Sequence, residues 1–122
     1  MPLRSVPDKD VLTIFLTDVK ILDAPLIEQI HQEMAKIIGE TEQRNVILDF
    51  REVKFLSSAA LGMLILVNKM CKEYKINLKL CNIEPDIAQI FKITGMNKVF
   101  AIYKTAEDAS AAFQKEGLIA RK

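Results

Sequence analysis

The chain has 122 residues, a length that holds one hydrophobic core and leaves no room for a second domain. Half of its residues are apolar and 27% are charged, with no stretch rich in Gly, Pro and Ser, a composition that excludes a disordered chain. Seventeen basic residues against sixteen acidic ones leave a formal charge of +1, which excludes the concentrated positive field that a nucleic-acid partner requires.

Met1 to Asp10 carry no apolar stretch behind a basic start, so no signal or transit peptide is evident and the expected location is cytoplasmic. A first strand around Leu3 to Val6 is expected to pair with Val11 to Leu16, a β-branched and aromatic run that follows the polar Asp8-Lys9-Asp10. From Leu26, the apolar residues Ile27, Ile30, Met34, Ile37 and Ile38 fall on one helical face, with Asp23 or Ala24 as the cap and Pro25 in the first turn. Asn45 to Phe50 is a continuous apolar run of the kind found in strands buried on both faces, and is expected to be central.

A second helix is expected from Ser57-Ser58 to about Tyr74, followed by a strand at Asn77 to Cys81 and a short helix from Pro85 to Thr94 closed by Gly95. Val99 to Tyr103 reads as the last strand. Thr105, with Asp108 three residues on, resembles a capping box opening a final helix through Phe113. Residues 1–116 are expected to form the domain and the tail 117–122 to fray. Strands and helices that alternate in this order call for a mainly parallel or mixed sheet with helices packed on it, the α/β class.

Most common chemistries lack their groups. His31 is the one histidine and lies beside an apolar stripe, and Cys71 and Cys81 lack the paired spacing of a zinc site, so neither a metal site nor a disulfide framework is expected. The four glycines are isolated, which leaves no dinucleotide or phosphate-loop fingerprint and no expected cofactor. Ser58 lacks the flanking glycines of a nucleophile elbow. Asp49 and Arg51 sit at the exit of the central strand, where ligands bind in many α/β sheets, although two such residues also form local structural pairs. The longest uncharged apolar run, Phe55 to Val67, is too short to span a bilayer and is interrupted by Ser57, Ser58 and Gly62, so no membrane insertion is expected.

A projection at 3.6 residues per turn gives the second helix a core stripe of Ala60, Met63, Leu64, Val67, Met70, Cys71 and Tyr74. Asn68, Lys69 and Lys72 mark the opposite side, and Ser58, Leu61, Gly62 and Ile65 project toward it. Either neighbouring elements cover Leu61 and Ile65, or these residues form a partner footprint around Ser58. With Ser57 as the cap, the Ser58 hydroxyl is free to point outward. A phosphate there would meet a helix N-terminus that favours an anion, yet would oppose a partner docked on apolar side chains.

Ile21-Leu22-Asp23, Val46-Ile47-Leu48-Asp49-Phe50, Val53 through Gly62, Leu78 through Cys81 and Phe91 through Met96 together resemble the anti-sigma-factor antagonists. These consist of a STAS domain (sulfate transporter and anti-sigma-factor antagonist), and the resemblance spans nearly the whole chain. It implies a single STAS domain with a mixed, mainly parallel sheet of four to five strands and about four helices. It also implies a non-enzymatic protein without cofactor, which binds an anti-sigma factor that is at the same time a serine kinase of the histidine-kinase-like ATPase type.

In that family the kinase phosphorylates a serine that falls on Ser58, phosphorylation breaks the complex, and a serine phosphatase restores it. The partner-binding residues expected beside Ser58 are Ser57, Leu61, Gly62, Ile65, Asp23 and Asp49. The sequence departs from the family pattern at Ser57, where Asp is usual, and at Ala60, where Gly is usual. Those departures sustain an alternative, a structural STAS subunit that scaffolds a signalling or lipid-transport complex without phosphate turnover. The pattern assigns no oligomeric state.

Overall fold

The structure, a computed structural model, describes residues 3–118. Strands β1 (Leu3–Asp8) and β2 (Val11–Leu16) form an antiparallel hairpin with Leu3 opposite Leu16 and Asp8 opposite Val11. β3 (Lys20–Ile21) leads into helix α1 (Ala24–Glu40), and β4 (Asn45–Asp49) is followed by β5 (Phe55–Leu56) and helix α2 (Ser58–Glu73). β6 (Asn77–Cys81), helix α3 (Pro85–Ile93), a 3-10 turn at Met96–Lys98, β7 (Ala101–Tyr103) and helix α4 (Ala106–Lys115) complete the order.

The main sheet has five strands in the order β1-β2-β4-β6-β7, with β2, β4, β6 and β7 parallel. From β2 to β7 the chain always steps in the same direction across the sheet. Right-handed crossovers therefore place all three connecting helices on one face. The larger core follows from this: Ile30 and Met34 of α1, Leu64 and Val67 of α2 and Phe91 of α3 pack over Ile14, Val46, Leu48 and Leu80. Helix α4 is no crossover and takes the other face, where Ala109 and Phe113 pack on Val11, Ile47 and Cys81. β4 is thereby buried on both faces along its whole length, as its unbroken apolar run requires.

The back face also holds the buried polar residues Asn45, Asp49 and Lys79. Lys79 donates to Glu116 at 2.9 Å and lies against the rings of Tyr103 and Phe113, and Asn45 donates to the Asp10 and Leu118 carbonyls and accepts from Asn77. Asn45 and Lys79 are thus each supplied with partners.

Several boundaries differ from the sequence expectation. Val99 belongs to the end of the 3-10 turn, where its N–H donates to Met96, so the last strand begins at Ala101. Tyr74, expected in the core, caps the end of α2 and is half exposed. Gly117 and Leu118, assigned to the tail, close α4 instead: Gly117 sits at φ +75°, its N–H donates to Gln114, and the Leu118 N–H donates to Phe113. The rest of that tail, 119–122, lies outside the described residues.

The pair β3 and β5, absent from the sequence reading, forms a separate two-stranded parallel sheet with Lys20 opposite Phe55 and Ile21 opposite Leu56. It joins the segment entering α1 to the segment entering α2, and so brings both helix starts to the same edge of the main sheet.

Candidate functional site

At the start of α2, Ser57 is in extended conformation and its Oγ accepts the Ala60 N–H at 3.2 Å. The cap satisfies one of the helix's free N–H groups, a contribution of about 1 kcal/mol. Ser58 is the first helical residue and is exposed. The two hydroxyls therefore divide as their positions dictate, one engaged in the backbone and one free to solvent.

Asp23 plays the same capping part for α1, accepting the Leu26 N–H at 3.2 Å. Its segment and that of Ser57 are tied directly, because the Ser57 N–H donates to the Ile21 carbonyl at 3.1 Å. The Lys54 and Phe55 N–H groups both donate to the Val19 carbonyl, at 2.8 and 3.1 Å. Asp23, Ser57 and Ser58 thus share one edge of the molecule.

Gly62 and Ile65 continue the outward face of α2 below Ser58. Ile65 is 44% exposed, and Gly62 is so open that an added Cβ would meet nothing within 4 Å. Leu61 corrects the helix projection: it is 4% exposed and belongs to the main core. It lies at the flank of the helix, where the neighbouring elements reach it, and covering by neighbours was the first of the two readings open for it. The sequence reading missed Leu66, 51% exposed, which follows Gly62 by four residues and shares its face. It also missed Leu22 and Phe55, both about half exposed on the segments that lead into α1 and α2. A two-residue strand has no alternation from which the exposed partner of Phe55-Leu56 can be told.

Asp49 is the other correction. It lies at the exit of the central strand β4 as expected, but its side chain is fully buried and does not present itself to a partner. Its carboxylate accepts the Arg51 N–H at 2.9 Å, the Arg51 Nη2 at 2.9 Å and Nε at 3.2 Å, and the Asn82 Nδ2 at 3.1 Å. The local-pair reading of Asp49 and Arg51 therefore holds. Hydrogen bonding to Asp49 raises the Arg51 pKa above its ordinary value, and the guanidinium lies 5.3 Å from the Phe15 ring centroid. Burial, with Asp49 adding to it, pushes the Cys81 thiol up to about 12, and burial pushes Cys71 up to about 11. Neither is an activated nucleophile.

No group of three or more His, Cys, Asp or Glu among the described residues is arranged to hold a metal ion. No helix among them is long and apolar enough to cross a membrane.

A mixed five-stranded sheet, three crossover helices on one face and a serine-started helix tied to the sheet edge define the class. Residues 8–109 match the family model of the STAS domain, and the chain belongs to that family. Among its relatives, the Bordetella bronchiseptica protein BtrV, named as an anti-sigma factor antagonist, is 31% identical over 94 residues, which cover 77% of this chain and 80% of BtrV. Among solved structures, an anti-sigma-factor antagonist (STAS) domain protein from Planctomyces limnophilus matches with a TM-score of 0.78 and 22% identity, covering 90% of this chain and 95% of that one. The antagonist SpoIIAA in its unphosphorylated form matches with a TM-score of 0.74 and 18% identity, covering 97% and 99%. At these identities the structural matches speak to the fold.

Proposed function

We propose that the protein is an anti-sigma-factor antagonist that binds an anti-sigma factor/serine kinase and is switched off by phosphorylation of Ser58. The observation that carries this reading is the division of the serine pair: Ser57 is committed to the cap, and Ser58 stands exposed beside an apolar surface. The names of BtrV and SpoIIAA support the antagonist role, and SpoIIAA exists in both a phosphorylated and an unphosphorylated form.

The physical logic is one of charge. Phosphate adds about −1.5 to −2 charges, which the N-terminus of α2 tolerates or favours by about 0.3–1 kcal/mol. The same charge on the footprint of Leu22, Phe55, Ile65 and Leu66 must be desolvated when a partner docks. Binding is therefore lost while the fold is kept. The partner is an anti-sigma factor of the histidine-kinase-like ATPase type, and a serine phosphatase resets the switch.

Incubation with that kinase and ATP, followed by mass spectrometric mapping, is expected to place one phosphate on Ser58. Phosphate on Ser57 or elsewhere would refute the assignment. A complex of fixed stoichiometry that takes up no phosphate and is indifferent to Ser58→Ala would favour the structural STAS subunit instead.

A further inference from the structure

The eight residues between β4 and α2 carry the chain from the sheet to Ser58, and their far end is fixed by the Val19 and Ile21 carbonyls described above. Their near end is fixed by Asp49. The Phe50 N–H donates to the Cys81 carbonyl, the Val53 N–H to Phe50, and the Asp49 carboxylate takes the Arg51 N–H together with the Arg51 guanidinium. The same carboxylate reaches the connection between β6 and α3 through Asn82, which itself sits at φ +56°. Arg51 extends the arrangement to the end of β2 by lying over Phe15. One buried side chain thus links three segments of the edge that presents Ser58.

Asp49 is shut off from solvent, so it cannot touch a partner or a phosphate. A buried carboxylate is costly to hold unless each of its contacts is made. Here the contacts set the direction in which the chain leaves β4. We propose that Asp49 is a positioning residue: through Arg51 and Asn82 it holds the 50–57 loop, and with it the Ser57-Ser58 helix start, in the orientation that the kinase reads. The kinase part of this inference rests on Ser58 being the phosphate acceptor.

Amide hydrogen exchange on the whole chain, without partner, tests the clamp in Asp49→Asn and Arg51→Gln. Asn keeps the shape of Asp but loses the charge that orients Arg51. Arg51→Gln leaves the backbone N–H of residue 51 and the Asn82 amide on the carboxylate, and is the second variant should Asp49→Asn fail to fold. Expected is exchange at least about tenfold faster at Arg51, Val53, Lys54, Phe55 and Ser57, with Val46 to Leu48 and Leu80 unchanged. Equal acceleration across the sheet, or none in the loop, would overturn the proposal.

With the kinase and ATP, the same variants are expected to lose about tenfold in kcat/KM for Ser58 phosphorylation. A loosened loop with unchanged kcat/KM would also overturn it. If wild type itself takes no phosphate, the functional reading fails, and the exchange pattern alone decides whether Asp49 holds the loop.

Discussion

The serine pair shows how far a capping rule reaches. Ser57 as cap and Ser58 as the free first-turn residue were legible in the sequence, because a helix N-terminus has a fixed need for side-chain acceptors. The same rule narrowed the α1 cap to Asp23 or Ala24, and Asp23 fills it. Replacement of Ser57 by Ala should lower stability by about 1 kcal/mol in urea titration, whereas Ser57→Asp, which restores the family's usual residue, should stay within about 0.5 kcal/mol. If the acid helps engage the kinase, Ser57→Asp also raises the rate of Ser58 phosphorylation. An unchanged rate would show that Ser57 is a full substitute. Burial of Asp49 was less legible: the sequence showed the Asp49-Arg51 pair, while Asn82, which completes the shell, lies 33 residues away in the chain.

At the level of elements, α2 shows what a projection can and cannot decide. The angle of each residue about the helix follows from its number, and Ser58, Gly62 and Ile65 do face outward. What lies against the flank depends on neighbours, and Leu61 is buried for that reason. The strands β3 and β5 were illegible because two residues have no period. Gly62 gives a direct test of the outward face as a footprint. Gly62→Ala should gain about 0.8–1 kcal/mol by helix propensity, since the space is open. Gly62→Gln should also keep stability but place a long side chain on the footprint, with an expected loss of about tenfold in partner affinity by titration calorimetry. Wild-type affinity in Gly62→Gln would move the footprint off α2.

Across the whole molecule, the alternation of strands and helices gave the class, and the unbroken apolar run at β4 gave the central strand. The sequence had no means of separating the two faces, because that depends on the direction in which successive crossovers step. The outcome is a large core under α1, α2 and α3 and a small one under α4. Phe113 is wholly buried in the small core, so Phe113→Ala should cost about 3–5 kcal/mol in chemical unfolding. Because α4 lies across the sheet from α2, the folded variant should bind the partner as wild type does. Weakened binding at temperatures where it remains folded would show that the two faces are coupled.

The proposed switch requires that charge on Ser58 control binding without altering the fold. It is tested most directly by calorimetric titration of one anti-sigma factor/serine kinase with the unphosphorylated chain and with the chain phosphorylated at Ser58, alongside melting curves of both forms. Phosphorylation should weaken binding by at least about tenfold, equivalent to about 1.4 kcal/mol, with melting temperatures that agree within about 4 °C. Equal affinities, or a loss of affinity that appears only with a collapse of the melting temperature, would contradict it.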